Sequence, residues 1–284
     1  MKKAKTLFIS DLDGTLLNKN AEITPVTAKI INGLIDDGLI FTYATARSFL
    51  TAAHVTGNIN FKYPAVHHNG VFIQNPRTGE YYDKCSFDKD KITEIIRKAG
   101  NNSVYPLVYA IIDGGERVSW IKSKEPDGIV FYLKSRENDK RLRPVSGYDE
   151  FLEGNIHEFT FIGDSPEELL QILRILDLGP HFTYHIGEDA YKDTYGKVKY
   201  WLEIMRFDAT KDTGAKKVKE LVGADKIICF GDNTNDIPMF NICDEKYAVD
   251  NAIAEIKNIA TAVIGSNEDD GVARWLEKYA RNYA

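Results

Sequence analysis

The stretch Leu7-Phe8-Ile9-Ser10-Asp11-Leu12-Asp13-Gly14-Thr15 restricts the fold more than any other part of the chain. Its apolar run reads as a buried strand, and it ends in two carboxylates, a glycine and a hydroxyl. In an open parallel sheet, ligands bind just beyond the carboxyl ends of the strands, which is where this cluster would sit. Asp11 and Asp13 are two residues apart, so along extended backbone both side chains can point the same way. Gly14 lets the chain turn sharply and bring its N–H groups close to an anion. Two adjacent carboxylates repel one another, which suggests a bound cation, a shared proton, or a division into nucleophile and acid. A strand followed by an Asx-rich turn would account for Asp-x-Asp-Gly alone.

The chain continues in the grammar of a parallel sheet. Thr24 as N-cap, Pro25 at the first helical position and Gly38 as stop bracket a helix whose apolar face is Ile30, Ile31, Leu34 and Ile35. A second strand, 39–44, delivers Thr45, Ala46 and Arg47; another helix follows, and 64–68 reads as a third strand ending in Asn69-Gly70. This β-α-β-α-β order implies right-handed crossovers. Beyond about Asp83 the order changes. A helix over 88–99 is followed by aromatic-rich strand candidates at 105–112, 118–121, 129–133 and 156–162, a helix over 166–176, and strands at 182–186 and 198–205. Strands with few helices between them indicate an α+β module. From Asp208 the alternation returns: a helix over 211–222 with Ala215, Val218, Leu221 and Val222 on one face, the apolar strand 226–230, a short helix containing Pro238, a strand at 247–249, a helix, a strand at 262–264, and a last helix over 271–279. The expected architecture is α/β: a doubly wound, Rossmann-like parallel-sheet core made of residues 1–83 and 207–284, with 84–206 inserted as an α+β cap domain.

At 284 residues the chain is long enough for one large or two modest domains. A net charge of −6 argues against a broad nucleic-acid surface, which needs a basic face. Cys85, Cys229 and Cys243 are few, odd in number and widely spaced. They fit a reducing compartment and form neither a disulfide framework nor a zinc pattern. The start Met1-Lys2-Lys3 resembles a signal peptide, but Asp11 and Asp13 cut the apolar run too early, and no stretch approaches a transmembrane span. These features predict a cytoplasmic protein with no nucleic-acid or membrane partner.

Four element ends carry complementary polar groups: Asp11 with Asp13, Thr45 with Arg47, Lys211, and Asp232 with Asn235 and Asp236. If the three strongly apolar strands are neighbours in one sheet, these ends converge on one crevice. Each has an ordinary explanation when viewed alone. Thr45 can cap a helix, Lys211 can be a solvated lysine at a helix start, and Gly231-Asp232-Asn233-Thr234-Asn235-Asp236 can be a turn bonding its own backbone. Their order on alternating β and α elements is harder to explain that way.

Asp-x-Asp-Gly-Thr after an apolar strand, a Thr at the second strand end, a Lys, and Gly-Asp-x-x-Asn-Asp resemble the motif series of the haloacid dehalogenase superfamily. The size and position of the insertion resemble the type IIB cap of the Cof-like phosphatases. Motif matches run to about Asn251; the cap matches in size and strand content only. Two positions depart from the pattern: Ala46 replaces the glycine of Thr-Gly-Arg, and Asp212 replaces the glycine of Ser-Lys-Gly.

The resemblance implies a phosphatase for a small phosphorylated metabolite, such as a sugar phosphate or a phosphorylated cofactor. Asp11 would be the nucleophile that forms an aspartyl-phosphate, and Asp13 the general acid and base. Mg²⁺ would be held by Asp11, Asp232 and the carbonyl of Asp13, with Asp236 in support. Thr45, the backbone at Ala46, Asn235 and Lys211 would hold phosphate oxygens, and the cap would close over the core to exclude water. Retention of Asp13 points to ester cleavage, not carbon–halogen chemistry. A phosphomutase of the same superfamily would use the same residues, and a non-catalytic phosphometabolite-binding protein is a further alternative. A signalling receiver shares the Asp, Thr, Lys and Mg²⁺, but it is smaller and lacks the insertion.

Other features allow two readings. His67-His68 resembles a metal pair, yet strand neighbours point to opposite faces. Asn69-Gly70 is either an ordinary turn or, by the same resemblance, a contact to the phosphate region or the cap, and Arg47 is a candidate for such a contact. Tyr105, Tyr109, Tyr132, Tyr184 and Tyr191 either stack on a substrate ring or fill strands and cores.

Overall fold

The computed structural model describes residues 4–188 and 198–283. The chain divides into two compact units, Met1–Lys84 with Ala209–Ala284, and Cys85–Asp208. Among the described residues, no helix is long and apolar enough to cross a membrane.

The first unit opens with β1 (Thr6–Ser10), α1 (Pro25–Asp36), β2 (Ile40–Tyr43), α2 (Phe49–Thr56) and β3 (Ala65–His67). Thr24 accepts the Thr27 N–H, and Gly38, at φ +99°, ends the helix as the glycine rule requires. β3 does not extend the parallel sheet as a full strand. It touches β2 through one parallel bridge, Ala44 with Val66, and then pairs antiparallel with β4 (Phe72–Gln74), which pairs with β5 (Tyr81–Lys84). The reason is local. His68 and Asn69 are left-handed (φ 47° and 52°) and Gly70 has φ +116°, so the chain reverses at once after His67.

The second unit holds α3 (Lys89–Asn101), β6 (Leu107–Ile112), β7 (Gly115–Ile121), α4 (Asp127–Lys134), β8 (Leu142–Val145), β9 (Asn155–Gly163), α5 (Pro166–Leu176), β10 (Phe182–Glu188) and β11 (Tyr200–Arg206). Its sheet has the order β10-β11-β9-β6-β7-β8, antiparallel except for β7 with β8. One face, carrying Phe159, Phe161, Leu202 and Ile204, is buried with Ile92, Ile95 and Ile96 of α3 and Leu169 of α5. On the other face Leu107, Tyr109 and Ile162 meet Ile129 and Tyr132 of α4.

The strand expected over 129–133 is therefore helix. A five-residue apolar run cannot be told from a buried helical segment by periodicity, and here the flanks decide. Pro126 stands at the N-cap position, Asp127 lies in the first turn and Lys134 in the last. β8 was missed because it contains Pro144; it is an edge strand, where a missing N–H costs no ladder bond. Of the tyrosines, Tyr109 and Tyr132 are buried and share a hydroxyl hydrogen bond of 3.1 Å. Tyr105 stacks on Tyr148, Tyr184 is exposed, and Tyr191 lies outside the described residues.

The chain returns to the first unit with α6 (Lys211–Val222), β12 (Lys226–Gly231), α7 (Ile237–Ile242), β13 (Glu245–Val249), α8 (Ala254–Ile259), β14 (Ala262–Ile264) and α9 (Gly271–Tyr279). The sheet order is β14-β13-β12-β1-β2, all parallel. The architecture is an α/β parallel-sheet core with an inserted mixed-sheet module. Ala215 and Val218 of α6 are buried, whereas Leu221, expected on the same face, is 52% exposed. In this unit β1 and β12 run side by side in register from Thr6 with Lys226 to Ser10 with Phe230, so their carboxyl ends emerge together.

Gly128 gives a test of the α4 assignment. A Cβ there would run into the Ile162 carbonyl of β9. Helix propensity alone predicts that Gly128→Ala stabilises by about 1 kcal/mol. Close packing on the sheet predicts a loss of about 1–3 kcal/mol, which urea unfolding of the full chain would measure as a lower midpoint.

Candidate active site

Asp11 leaves β1 with its N–H bonded to the Phe230 carbonyl of β12 at 3.0 Å, which fixes the nucleus of the site. Its carboxylate is buried and accepts from Lys211 Nζ at 2.5 Å. The same ammonium donates to Asp236 Oδ1 at 2.7 Å. Lys211 is the first residue of α6, and its side chain is fully buried, so the solvated reading of this lysine is excluded. The second oxygen of Asp236 accepts the N–H groups of Asp232 at 2.9 Å and Asn233 at 3.1 Å, closing a capping box around the turn after β12. Asp232 Oδ1 accepts from the Thr15 hydroxyl at 2.8 Å. Asp11, Asp232 and Asp236 each offer an oxygen within 4.8 Å of the others, a grouping able to hold a metal ion.

The electrostatics follow from this crowding. Burial pushes the Asp11 carboxyl well up, against the pull of Lys211 and with the added push of Asp236, Asp232 and Asp13. Burial also pushes Asp232 up to about 6, helped by Asp236 and opposed by Thr15 and Lys211. For Lys211, burial alone would lower the ammonium, but Asp11 and Asp236 outweigh it and hold it above its ordinary value. Three carboxylates face one ammonium, so full ionisation leaves two negative charges uncompensated. A hard, oxygen-only set with that excess fits a divalent cation such as Mg²⁺.

The remaining candidates gather around the same cluster. Thr45 is buried, and its hydroxyl accepts the Arg47 N–H at 3.1 Å; the helix cap of α2 is Ser48 instead. Arg47 forks onto Asp13, Nε to Oδ2 at 2.7 Å and Nη2 to Oδ1 at 2.6 Å, a bidentate pair that orients the carboxylate. Asn235 Nδ2 donates to Asn69 Oδ1 at 3.2 Å, and the Asn69 N–H is held by the Thr45 carbonyl at 2.9 Å. The turn at Gly70 lies so near Thr210 that a Cβ would collide with its backbone, which seats the start of α6. His67 Nε2 lies 3.0 Å from the Tyr43 hydroxyl, inside the core.

Asp212 does not crowd Lys211. Burial pushes its carboxyl up, but hydrogen bonds from Lys216 and Thr210 outweigh this and hold it below its ordinary value. Sequence reading named the Thr15 hydroxyl without its partner and gave Asn251 and Asn267 no role. Asn251 Nδ2 donates to the Gly14 carbonyl at 2.6 Å and Asn267 Nδ2 to the Leu17 carbonyl at 2.8 Å. The available signal was the position of Asn251 just past β13, a strand end like the others.

Replacing Lys211 by Met leaves Asp11 and Asp236 buried without their cation. At pH 7.5, without divalent metal, Lys211→Met is expected to lose about 3–5 kcal/mol. The loss should shrink at pH 5, where Asp232, raised to about 6, takes up a proton and removes one charge from the cluster. Urea unfolding at both pH values checks this, and an equal loss at each would contradict it.

Comparison with known proteins places the chain in a family. A family model described as haloacid dehalogenase-like hydrolase matches residues 8–276. The Bacillus subtilis 5-amino-6-(5-phospho-D-ribitylamino)uracil phosphatase YitU is 26% identical over 98% of this chain and 99% of its own length. YwtE, of the same organism and the same named activity, is 24% identical over 94% and 96%. Among solved structures, the subclass IIB sugar phosphatase BT4131 superposes with a TM-score of 0.70 over 97% of this chain and 99% of that one. At 18% identity that likeness speaks for the fold. The chain belongs to the haloacid dehalogenase-like hydrolases, as a Cof-like phosphatase of the superfamily with an inserted cap.

Proposed function

We propose that the protein is a Mg²⁺-dependent phosphomonoesterase that works through an aspartyl-phosphate on Asp11. The observation that carries this reading is the buried triad in which Lys211 bridges Asp11 and Asp236 beside Asp232. Asp11 attacks phosphorus: the new Asp11–phosphorus bond forms as the ester P–O bond breaks, and Asp13 gives the leaving oxygen its proton. Asp13, now a carboxylate, then takes a proton from water, which attacks the aspartyl-phosphate and releases inorganic phosphate. The fork from Arg47 orients the Asp13 carboxyl group for both steps.

Bringing a phosphate dianion to a carboxylate costs ~4 kcal/mol per charge pair at 4 Å and effective dielectric 20. Asp11, Asp232 and the Asp13 carbonyl, with Asp236 in support, would hold Mg²⁺, which would supply the neutralising charge. Thr45, the backbone at Ala46, Asn235 and Lys211 hold the equatorial oxygens as charge redistributes. The substrate is a small phosphorylated metabolite. The activity named for the Bacillus relatives supports a phosphorylated ribitylaminouracil, and a sugar phosphate is the other member of the class.

Phosphate release from p-nitrophenyl phosphate, a ribitylaminouracil phosphate and a panel of sugar phosphates tests this. Turnover is expected with Mg²⁺, to vanish with chelator, and to fall by at least about 10⁴-fold in Asp11→Asn. Isomerised sugar phosphate without phosphate release would favour a mutase instead.

The raised carboxyl of Asp232 gives an independent prediction. Its folded value of about 6 lies above the ordinary 3.8, so the folded state binds this proton more tightly than the unfolded chain. The resulting stability is complete below about pH 4 and is lost as pH rises through 6. Metal-free protein should therefore lose thermal stability across that window, and Mg²⁺ should restore it at pH 7.5 far more than at pH 4.5. A calorimetric shift of equal size at both would count against a metal site at Asp232.

A further inference from the structure

The turn that carries Asp13 is held from outside by two asparagines that the reaction above leaves unused. Asp13 (φ −72°, ψ 121°) and Gly14 (φ 78°, ψ −7°) occupy the centre of a type II turn, whose third position needs the positive φ that glycine supplies. The Leu17 N–H closes the wider loop on the Leu12 carbonyl at 2.8 Å. The carbonyls of Gly14 and Leu17 are the ones taken by Asn251 and Asn267. The two asparagines are joined, because the Asn267 N–H donates to Asn251 Oδ1 at 3.0 Å and the Ser266 hydroxyl reaches the same oxygen at 3.4 Å. With its nitrogen on a carbonyl and its oxygen on an N–H, the Asn251 amide has one orientation that satisfies both ends. Two residues later the Ile253 N–H donates to the Asp232 carbonyl at 3.0 Å. Residues 251–253 thus tie the loop of Asp13 to the loop of Asp232. The Asp13 side chain is half-exposed, so the backbone turn beneath it and the fork from Arg47 together fix where it lies.

We infer that Asn251, backed by Asn267, is a positioning residue that sets the Asp13–Gly14 turn so that Asp13 meets the leaving oxygen. The inference rests on the role of Asp13 given under the proposed function. A general acid contributes roughly 10²–10⁴ in rate. A displacement of about 1 Å is enough to forfeit ~10². The loss depends on the ester: an alkoxide leaves only with its proton, whereas p-nitrophenolate leaves without help. Because kcat/KM covers the steps up to transfer onto Asp11, it reports this difference free of the later hydrolysis.

Asn251→Asp keeps the shape of the side chain but sets a carboxylate oxygen against the Gly14 carbonyl; Asn267→Ala removes the backing without adding charge. Both are compared with wild type on the fastest sugar phosphate of the panel and on p-nitrophenyl phosphate. The sugar ester is expected to lose about 10- to 100-fold in kcat/KM and the aryl ester less than about threefold. Amide hydrogen exchange over residues 12–17 should quicken in both variants. Equal losses on the two esters, or unchanged exchange in that segment, would overturn the inference. A wild type that hydrolyses only the aryl ester overturns it too, while the phosphatase reading stands. A wild type that releases phosphate from neither ester overturns the phosphatase reading, and exchange still decides whether Asn251 holds the turn.

Discussion

One ammonium serving two buried carboxylates is the constraint on which the rest of the core unit depends. Lys211 Nζ lies 2.5 Å from Asp11 and 2.7 Å from Asp236, and all three are shut away from water. Desolvating such charges costs several kcal/mol per ion, so the arrangement is tolerated only where geometry is tight and the other lone pairs are used. The structure meets that condition through backbone. Asp236 spends its second oxygen on two N–H groups of its own turn, and the Asp11 N–H is anchored on β12. The parallel pairing of β1 with β12 therefore brings the ends of two strands and one helix to the same point. Slipping that register by one residue would move every side chain of β1 to the opposite face and separate the charges.

The legible parts of the fold were those with chemical punctuation. Thr24-Pro25 and Gly38 mark α1, and Pro166, after Asp164 or Ser165 as cap, marks α5, because caps and fixed dihedrals act locally. The structure uses Ser165. Segment 129–133 was misread because β-branched and aromatic residues suit either a strand or a helix packed on a sheet. The flanking Pro126, Asp127 and Lys134 favour the helix, and contact of Gly128 and Ile129 with the sheet, which no local signal records, adds to that choice. The antiparallel pairing of β3 with β4 follows from the left-handed pair His68-Asn69, a conformation that residue identity does not dictate.

The site was legible at the level of which residues meet, for a reason specific to parallel sheets: strand order alone brings their carboxyl ends together. Which atom meets which was not. Arg47 pairs with Asp13, and Asn235 with Asn69, although the sequence separations are 34 and 166 residues. Such pairings depend on side-chain direction after folding. Asn251 escaped notice because its task is to hold a carbonyl, and an asparagine past a strand end reads as a turn residue.

The two departures from the superfamily motifs can be weighed on charge. Asp212 stands next to Lys211 in sequence, yet its carboxylate is spent on Thr210 and on Lys216 one helical turn away. A neighbour paired in this way adds little field at Lys211, whose own partners are in direct contact. Ala46 adds a methyl but no charge, and leaves its N–H in place. The balance at the cluster is therefore set mainly by Asp11, Asp232, Asp236 and Lys211. Their excess of two negative charges is what a divalent cation cancels. With such a cation bound, a phosphate dianion would approach a neutral cluster; without it, the dianion would meet like charge. Burial raises Asp11 and Asp232 and the neighbouring carboxylates add to it, and the same excess charge would attract a divalent cation.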